Sequence, residues 1–360
     1  MLSIPESLTL FGEVIAVSSL LVYWASSSRS VLFQRVLHVL ACLGPALLAA
    51  FRGSGTDTST YYQLYLNFDS TSILSIFRGH EIEPLNQVAL LLAHQADSFT
   101  VYLLIFSALT TWLALSAIRG LASPTSYPYA WFLFLCIYYP ASHNIMRQML
   151  AASAVLWAFR HILSHRRLQS IIWLTIAFSF HTTAILALPI FFLLTRKSQL
   201  RKWLFGLLVA GSLSLFVFLG SALSWFSDFT GEDRYLGYSQ YVNPTANRSI
   251  ILSVFVLIVA MVALKRLRIH LPMAPLYAMV LAVGVCLEVI GYVSPFLKRV
   301  AIYYELIQVV LLGSLPLVSR SEPSRAFVKT CVISWGVVYF LVMYGLTGQA
   351  GVIPYAFVLK

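Results

Sequence analysis

Charge is what this 360-residue sequence has least of: 10% of its residues are Asp, Glu, Lys or Arg, against roughly a quarter in an ordinary soluble domain. So few charges cannot dress the surface of a water-soluble fold. Cysteine is scarce as well. Cys42, Cys136, Cys286 and Cys331 stand far apart inside apolar stretches, with no CxxC pair and no paired histidines nearby, which argues against a disulfide framework and a zinc site. The sequence has no Walker A motif, no GxSxG and no HExxH. It also lacks the paired-aspartate DxD that holds a nucleotide-sugar metal; Glu81 and Glu83 come nearest, and two residues apart they do not share a helix face. There is no internal repeat, low-complexity tract or soluble domain. Met1 to Leu8 carry no basic residue and no small-residue cleavage site follows the first apolar run, so the first segment is expected to be retained.

What is abundant is apolar: 59% of residues are hydrophobic and 14% aromatic. A hydrocarbon core of about 30 Å asks for about 20 apolar residues per helix. Apolar runs near 8–27, 34–51, 99–118, 129–143, 146–163, 168–181, 183–195, 202–220, 249–264, 272–293, 299–318 and 327–346 predict an all-α polytopic transmembrane bundle with about twelve crossings and one membrane domain over 1–360. The two runs flanking His181 are the shortest.

The net charge of +11 would suggest nucleic acid in a soluble protein, but here the basic residues form short clusters between apolar runs, which positive-inside orientation explains. With the N-terminus outside, sixteen of the 24 Lys and Arg fall on cytoplasmic loops, among them Arg166, Arg167, Lys265, Arg266, Arg320 and Arg325. The outer side keeps Arg52, Arg78, Arg147, Arg234, Arg248, Lys298, Arg299 and Lys360. Both termini are therefore expected outside. Acidic residues sort the opposite way: Asp57, Asp69, Glu81, Glu83, Asp97, Asp228, Glu232 and Asp233 all lie on outer loops. Two outer segments, 52–98 and 221–248, are long enough to build a site, the first with a surface helix starting at Glu83-Pro84.

The outer arginines are the most informative feature, because orientation cannot explain them and charge near hydrocarbon costs at least a few kcal/mol. Arg52 begins Arg52-Gly53-Ser54-Gly55-Thr56-Asp57, where two glycines bring backbone close to whatever the arginine faces. Arg147 opens a helix with His143 one turn before it, and Arg299 opens another with Tyr303 one turn on. Guanidinium forks match phosphate oxygens at any pH, so converging arginines suggest an anionic phosphate ligand. The competing explanation is snorkelling to lipid headgroups or pairing with outer carboxylates.

His181, in Phe180-His181-Thr182, is either a satisfied buried histidine or a proton acceptor, a role its ordinary pKa of about 6.5 suits. Glu83 and Asp57 are alternative bases, each with helix capping or turn formation as its plain explanation. Arg234-Tyr235, Tyr238 and Tyr241 form an aromatic platform suited to sugar faces or to the membrane interface. Glu288 and Glu305, inside predicted spans, are either functional carboxylates or partners of a neighbouring Arg or Tyr.

Five motifs in order then carry a resemblance. Arg52-x-x-Gly55-Thr56-Asp57 with Tyr61-Tyr62 and Tyr65, Glu83-Pro84, Arg147-Gln148 with Ala151 and Ala152, Phe180-His181-Thr182, and Arg299 with Tyr303 together resemble the EpsG/Wzy group of bacterial polysaccharide polymerases, from about residue 50 to 305. The resemblance implies a GT-C-like glycosyltransferase of the bacterial inner membrane, working at the periplasmic face in lipopolysaccharide or exopolysaccharide synthesis. It would move a growing glycan from undecaprenyl diphosphate onto the non-reducing end of a lipid-linked repeat unit. No cofactor, metal or nucleotide sugar is implied; membrane lipids and a chain-length regulator protein are implied partners, and nucleic acid is not. In such a site Arg52, Arg147 and Arg299 would bind the diphosphate, His181, Glu83 or Asp57 would be the base, and Tyr303, Arg234, Tyr235, Tyr238 and His143 would meet sugar. The sequence departs from the group in placing Ser142-His143-Asn144 before Arg147, where a serine more often directly precedes the arginine, which leaves the role of His143 open. The rival readings are a transporter or flippase of the same lipid-linked sugars, which usually shows repeat symmetry, and an O-antigen ligase.

Overall fold

The computed structural model describes residues 1–68, 82–195, 198–230, 246–291 and 295–358. Among the described residues the fold is all-helical, with 83% of them in helices, and the extended pairing is an isolated bridge between Arg52 and Phe357. In chain order the helices are α1 (Ile4–Ser27), α2 (Val31–Ala50), α3 (Thr58–Leu66), α4 (Pro84–Gln95), α5 (Phe99–Leu121), α6 (Tyr127–Ile137), α7 (Tyr139–Ser142) and α8 (Met146–Leu163). There follow α9 (Arg167–Phe180), α10 (Leu188–Thr195), α11 (Ser198–Thr230), α12 (Ala246–His270), α13 (Ala274–Ile290), α14 (Pro295–Glu305), α15 (Gln308–Gly313) and α16 (Glu322–Phe340). Short 3-10 turns, Thr182–Ala187 before α10 and Leu315–Val318 before α16, join some of them.

Among the described residues, five segments are long and apolar enough to cross a membrane: Ile4–Ser27, Val31–Ala50, Phe99–Leu121, Arg248–His270 and Glu322–Leu346. This is a membrane protein. Each of the twelve apolar runs is helical over its described part, but several break into pieces. The run 183–195 is a 3-10 turn followed by α10, and 299–318 divides among α14, α15 and a 3-10 turn. Two of these breaks fall beside a proline, which lacks an N–H donor, Pro189 and Pro316.

Polar side chains inside the bundle repair such breaks. Pro45, within α2, cannot donate to the carbonyl of Ala41; the Ser18 hydroxyl of α1 donates to it instead at 2.6 Å, and buried Trp131 of α6 donates to the Ser18 Oγ at 2.9 Å. Near the C-terminal end of α2, side chains from other elements reach its carbonyls: Tyr139 reaches Pro45, Ser107 reaches Ala46 and Tyr355 reaches Leu48, which has lost its helical partner, at 2.8, 2.9 and 2.8 Å. This end of α2 therefore sits at a junction of α5, α7 and the C-terminal segment. The start of the chain meets that segment too, with Leu2 donating to the Tyr355 carbonyl at 2.8 Å. Both ends of the chain thus lie at the end of the bundle that carries Arg52 to Asp57.

Candidate functional site

Glu83 precedes Pro84 at the N-cap of α4, in extended backbone. A carboxylate there ordinarily accepts an N–H from the first turn of its own helix. Glu83 makes no such cap. Its Oε2 accepts from Arg147 Nη1 at 2.6 Å and its Oε1 from His181 Nδ1 at 2.9 Å. The three come from different elements: Arg147 from the first turn of α8, and His181 from the extended residue where α9 gives way to a 3-10 turn. Because an ionised carboxylate can only accept, the bond places a proton on His181 Nδ1, and in the neutral imidazole Nε2 is then the nitrogen that can accept one.

Burial of Glu83 pushes its pKa up, but the hydrogen bond from His181 and the charge of Arg147 outweigh it and hold the carboxyl down at about 2. The side chain of Glu83 is 3% exposed, those of His181 and Arg147 14% and 17%. A visiting molecule can therefore touch the imidazole and the guanidinium, but not the carboxylate that positions them.

The surroundings extend the cluster. Arg147 lies 6.0 Å from the ring centroid of Tyr61, whose hydroxyl donates to the Asn144 carbonyl at 2.7 Å. Asn144 joins the loop before α8 to the loop before α3: its Oδ1 accepts from the Asp57 backbone N–H at 3.3 Å, and its amide donates to the Thr56 hydroxyl. Asp57, half-buried, does not cap α3 with its side chain. Gly55 adopts φ +112, and a Cβ there would come within 2.8 Å of Thr58 Oγ1 and 3.0 Å of Asn144 Oδ1, so this turn requires glycine. From the other side, Gln148 Nε2 donates to the Arg299 carbonyl at 2.5 Å, and the hydroxyls of Tyr303 and Thr183 bond at 2.9 Å. These two bonds fasten α14 beside the Arg147 and His181 elements.

Two sequence candidates sit deeper than expected. Arg52 is 1% exposed. Its guanidinium donates to the Ala49 carbonyl at the end of α2 and, at 2.7 Å, to the His143 carbonyl. His143 itself is fully buried, its ring packed 5.6 Å from Phe11 and 5.0 Å from Tyr139. The close approach at Gly53 is to the Phe357 carbonyl, 2.7 Å from where a Cβ would stand. The chain's own C-terminal segment, not an outside molecule, occupies that space. Arg234, Tyr235 and Tyr238 lie outside the described residues. Glu288 and Glu305 are buried and meet side chain to side chain, with Ser253 also reaching Glu305.

The structure thus brings Glu83, Arg147 and His181 into contact, sets Asp57 beside them through Asn144, and ties the helix of Arg299 and Tyr303 to both. Sequence reasoning passed over Asn144 and Thr183 as working residues. An asparagine before a helix and a threonine in an apolar run are too common to stand out.

A model of the EpsG family matches residues 35–357 of the chain. No curated protein and no solved structure matches it.

Proposed function

We propose, for a chain that belongs to the EpsG family, that it polymerises lipid-linked polysaccharide repeat units by glycosyl transfer. Family membership suggests the polymerase-like role; the observation that carries the chemistry is the Glu83–Arg147–His181 cluster, a carboxylate-oriented imidazole beside a guanidinium. The donor is a growing glycan on undecaprenyl diphosphate and the acceptor a hydroxyl at the non-reducing end of a second lipid-linked unit. His181 Nε2 takes the hydroxyl proton as the oxygen forms its bond to the anomeric carbon. The bond from that carbon to the diphosphate breaks, and undecaprenyl diphosphate leaves with the electron pair. Arg147, and Arg299 on the adjoining α14, stabilise the charge that develops on the diphosphate, the largest electrostatic demand of the reaction.

In this reading Glu83 orients both partners, since a carboxyl held at about 2 is too weak a base to take the proton itself. Arg52 and His143 support the loop from beneath. Asp57 and Tyr303 line its edge toward the acceptor sugar. The twelve crossings, the periplasmic placement of the site and of both chain ends, the GT-C-like arrangement and the bacterial inner-membrane location belong to the same proposal.

Incubation of the purified protein with defined undecaprenyl-diphosphate repeat units tests it. A ladder of lengthening glycans is the expected product. Movement of intact units across a vesicle without any new covalent bond would make the protein a transporter, and transfer only to a lipid A core acceptor would make it a ligase.

A further inference from the structure

A second site stands at the opposite end of the bundle. α16 begins there and its chain continues to the tail that bonds Gly55, at the Glu83 end. Between α12, the start of α16 and the 3-10 turn Leu315–Val318 runs an open groove of about 550 Å³. Its walls are apolar: Val259 and Val262 follow one face of α12 at helical spacing, and Val328 faces them from α16. Val262 is 83% exposed, and both α12 and α16 are long and apolar enough to cross a membrane, so the wall is open to acyl chains.

Charge closes one end. Arg266, one turn beyond Val262, and Arg320, just before α16, both line the groove. Glu322, the acid nearest in sequence, is ion-paired with Arg325 instead. Among the described residues neither Arg266 nor Arg320 has an ion-pair or hydrogen-bond partner. The first turn of α16, capped by Ser321, adds the positive end of a 19-residue helix. An apolar trough ending in two unpaired guanidiniums and a helix N-terminus matches a molecule with a hydrocarbon tail and an anionic phosphate head.

We propose that this groove binds one anionic phospholipid, with its phosphate between Arg266 and Arg320 and an acyl chain along Val259, Val262 and Val328. The site is separate from the polymerase reading and stands whether or not that reading holds.

Native mass spectrometry of the full-length protein, stripped of lipid and re-supplied with phosphatidylglycerol, phosphatidylcholine or inorganic phosphate, tests it. One phosphatidylglycerol should be retained in preference to phosphatidylcholine, and inorganic phosphate should not displace it, because the chain contributes to its hold. Arg266→Gln and Arg320→Gln should each weaken retention by about fivefold. Arg268→Gln, which removes the same charge from α12 outside the groove, should leave it unchanged. Ala263→Phe should block retention by filling the trough while both arginines remain. Equal retention of phosphatidylcholine, equal loss with Arg268→Gln, displacement by inorganic phosphate, or full retention in Ala263→Phe would each overturn the proposal.

Discussion

Glu83 holds a guanidinium at 2.6 Å and an imidazole at 2.9 Å with one buried carboxylate, and its two partners need it for different reasons. Arg147 needs a counter-charge, because an arginine left unpaired in such a position costs about 3–5 kcal/mol. His181 needs an acceptor that fixes its tautomer, much as a carboxylate does for the histidine of a hydrolytic triad. Glu83→Gln keeps the shape but presents a mixed donor and acceptor, so it should lower the rate of glycan extension by about 10²-fold or more with lipid-linked substrate still bound; unchanged chain lengths on gels would remove Glu83 from the chemistry. His181→Ala should cost roughly 10²–10⁴-fold in rate while the protein remains folded, and activity of the native protein should fall as pH is lowered and the imidazole gains a proton. If His181→Gln restores both rate and melting temperature, the histidine is structural. Arg147→Lys retains charge but loses the fork and should cut polymerisation severely. A stability effect also follows. The Glu83 carboxyl lies at about 2 against its ordinary 4.5, so its contribution is present above 4.5 and lost as pH falls toward 2. The gap in melting temperature between the native protein and Glu83→Gln should close over that window, and a constant gap would contradict the pairing.

The helices hold these residues by exchanging hydrogen bonds where their own ladders fail. Ser18 is the clearest case: it donates to the carbonyl that Pro45 leaves unpaired and accepts from Trp131. Ser18→Ala should therefore cost about 1–3 kcal/mol by orphaning an indole N–H and a carbonyl in the core, and adding Trp131→Phe should recover part of it, as melting temperatures of the single and double variants would report. A double variant no more stable than the single would mean that the indole bond carries no weight. The helices themselves were legible from apolar runs and from proline and glycine punctuation, which act locally. The contacts were not. Glu83 and His181 are far apart in sequence, and nothing in a single chain marks them as neighbours. Arg52 misled for a related reason: an arginine framed by glycines reads as a ligand cradle, yet here the glycines admit the chain's own tail and the arginine serves the carbonyls of Ala49 and His143.

At the scale of the whole molecule, chemistry and charge divide between the two ends of the bundle. The Glu83 cluster, the Arg52 to Asp57 loop and both chain ends gather at one end, while Arg266 and Arg320 stand at the other. Lys and Arg collect on the side that remains in the cytoplasm, so in the proposed reading the Glu83 end faces outward, toward the compartment in which lipid-linked units would be extended. Exposed positions at each end make this measurable: Ser59 in α3 on one side, Arg166 and Lys265 on the other. Cys42 and Cys136 are buried and Cys286 is half-buried, so replacing the exposed Cys331 by serine leaves little background for a thiol reagent. In that background Ser59→Cys should react with a membrane-impermeant maleimide applied to cells with a permeabilised outer membrane. Arg166→Cys and Lys265→Cys should react only after the inner membrane is opened. Because all three positions belong to one bundle, they cannot disagree about its orientation unless the fold itself is different. The reverse pattern would point the imidazole and guanidinium into the cytoplasm, where a polymerase of exported units has no substrate, and would leave the glycosyl-transfer reading without a site.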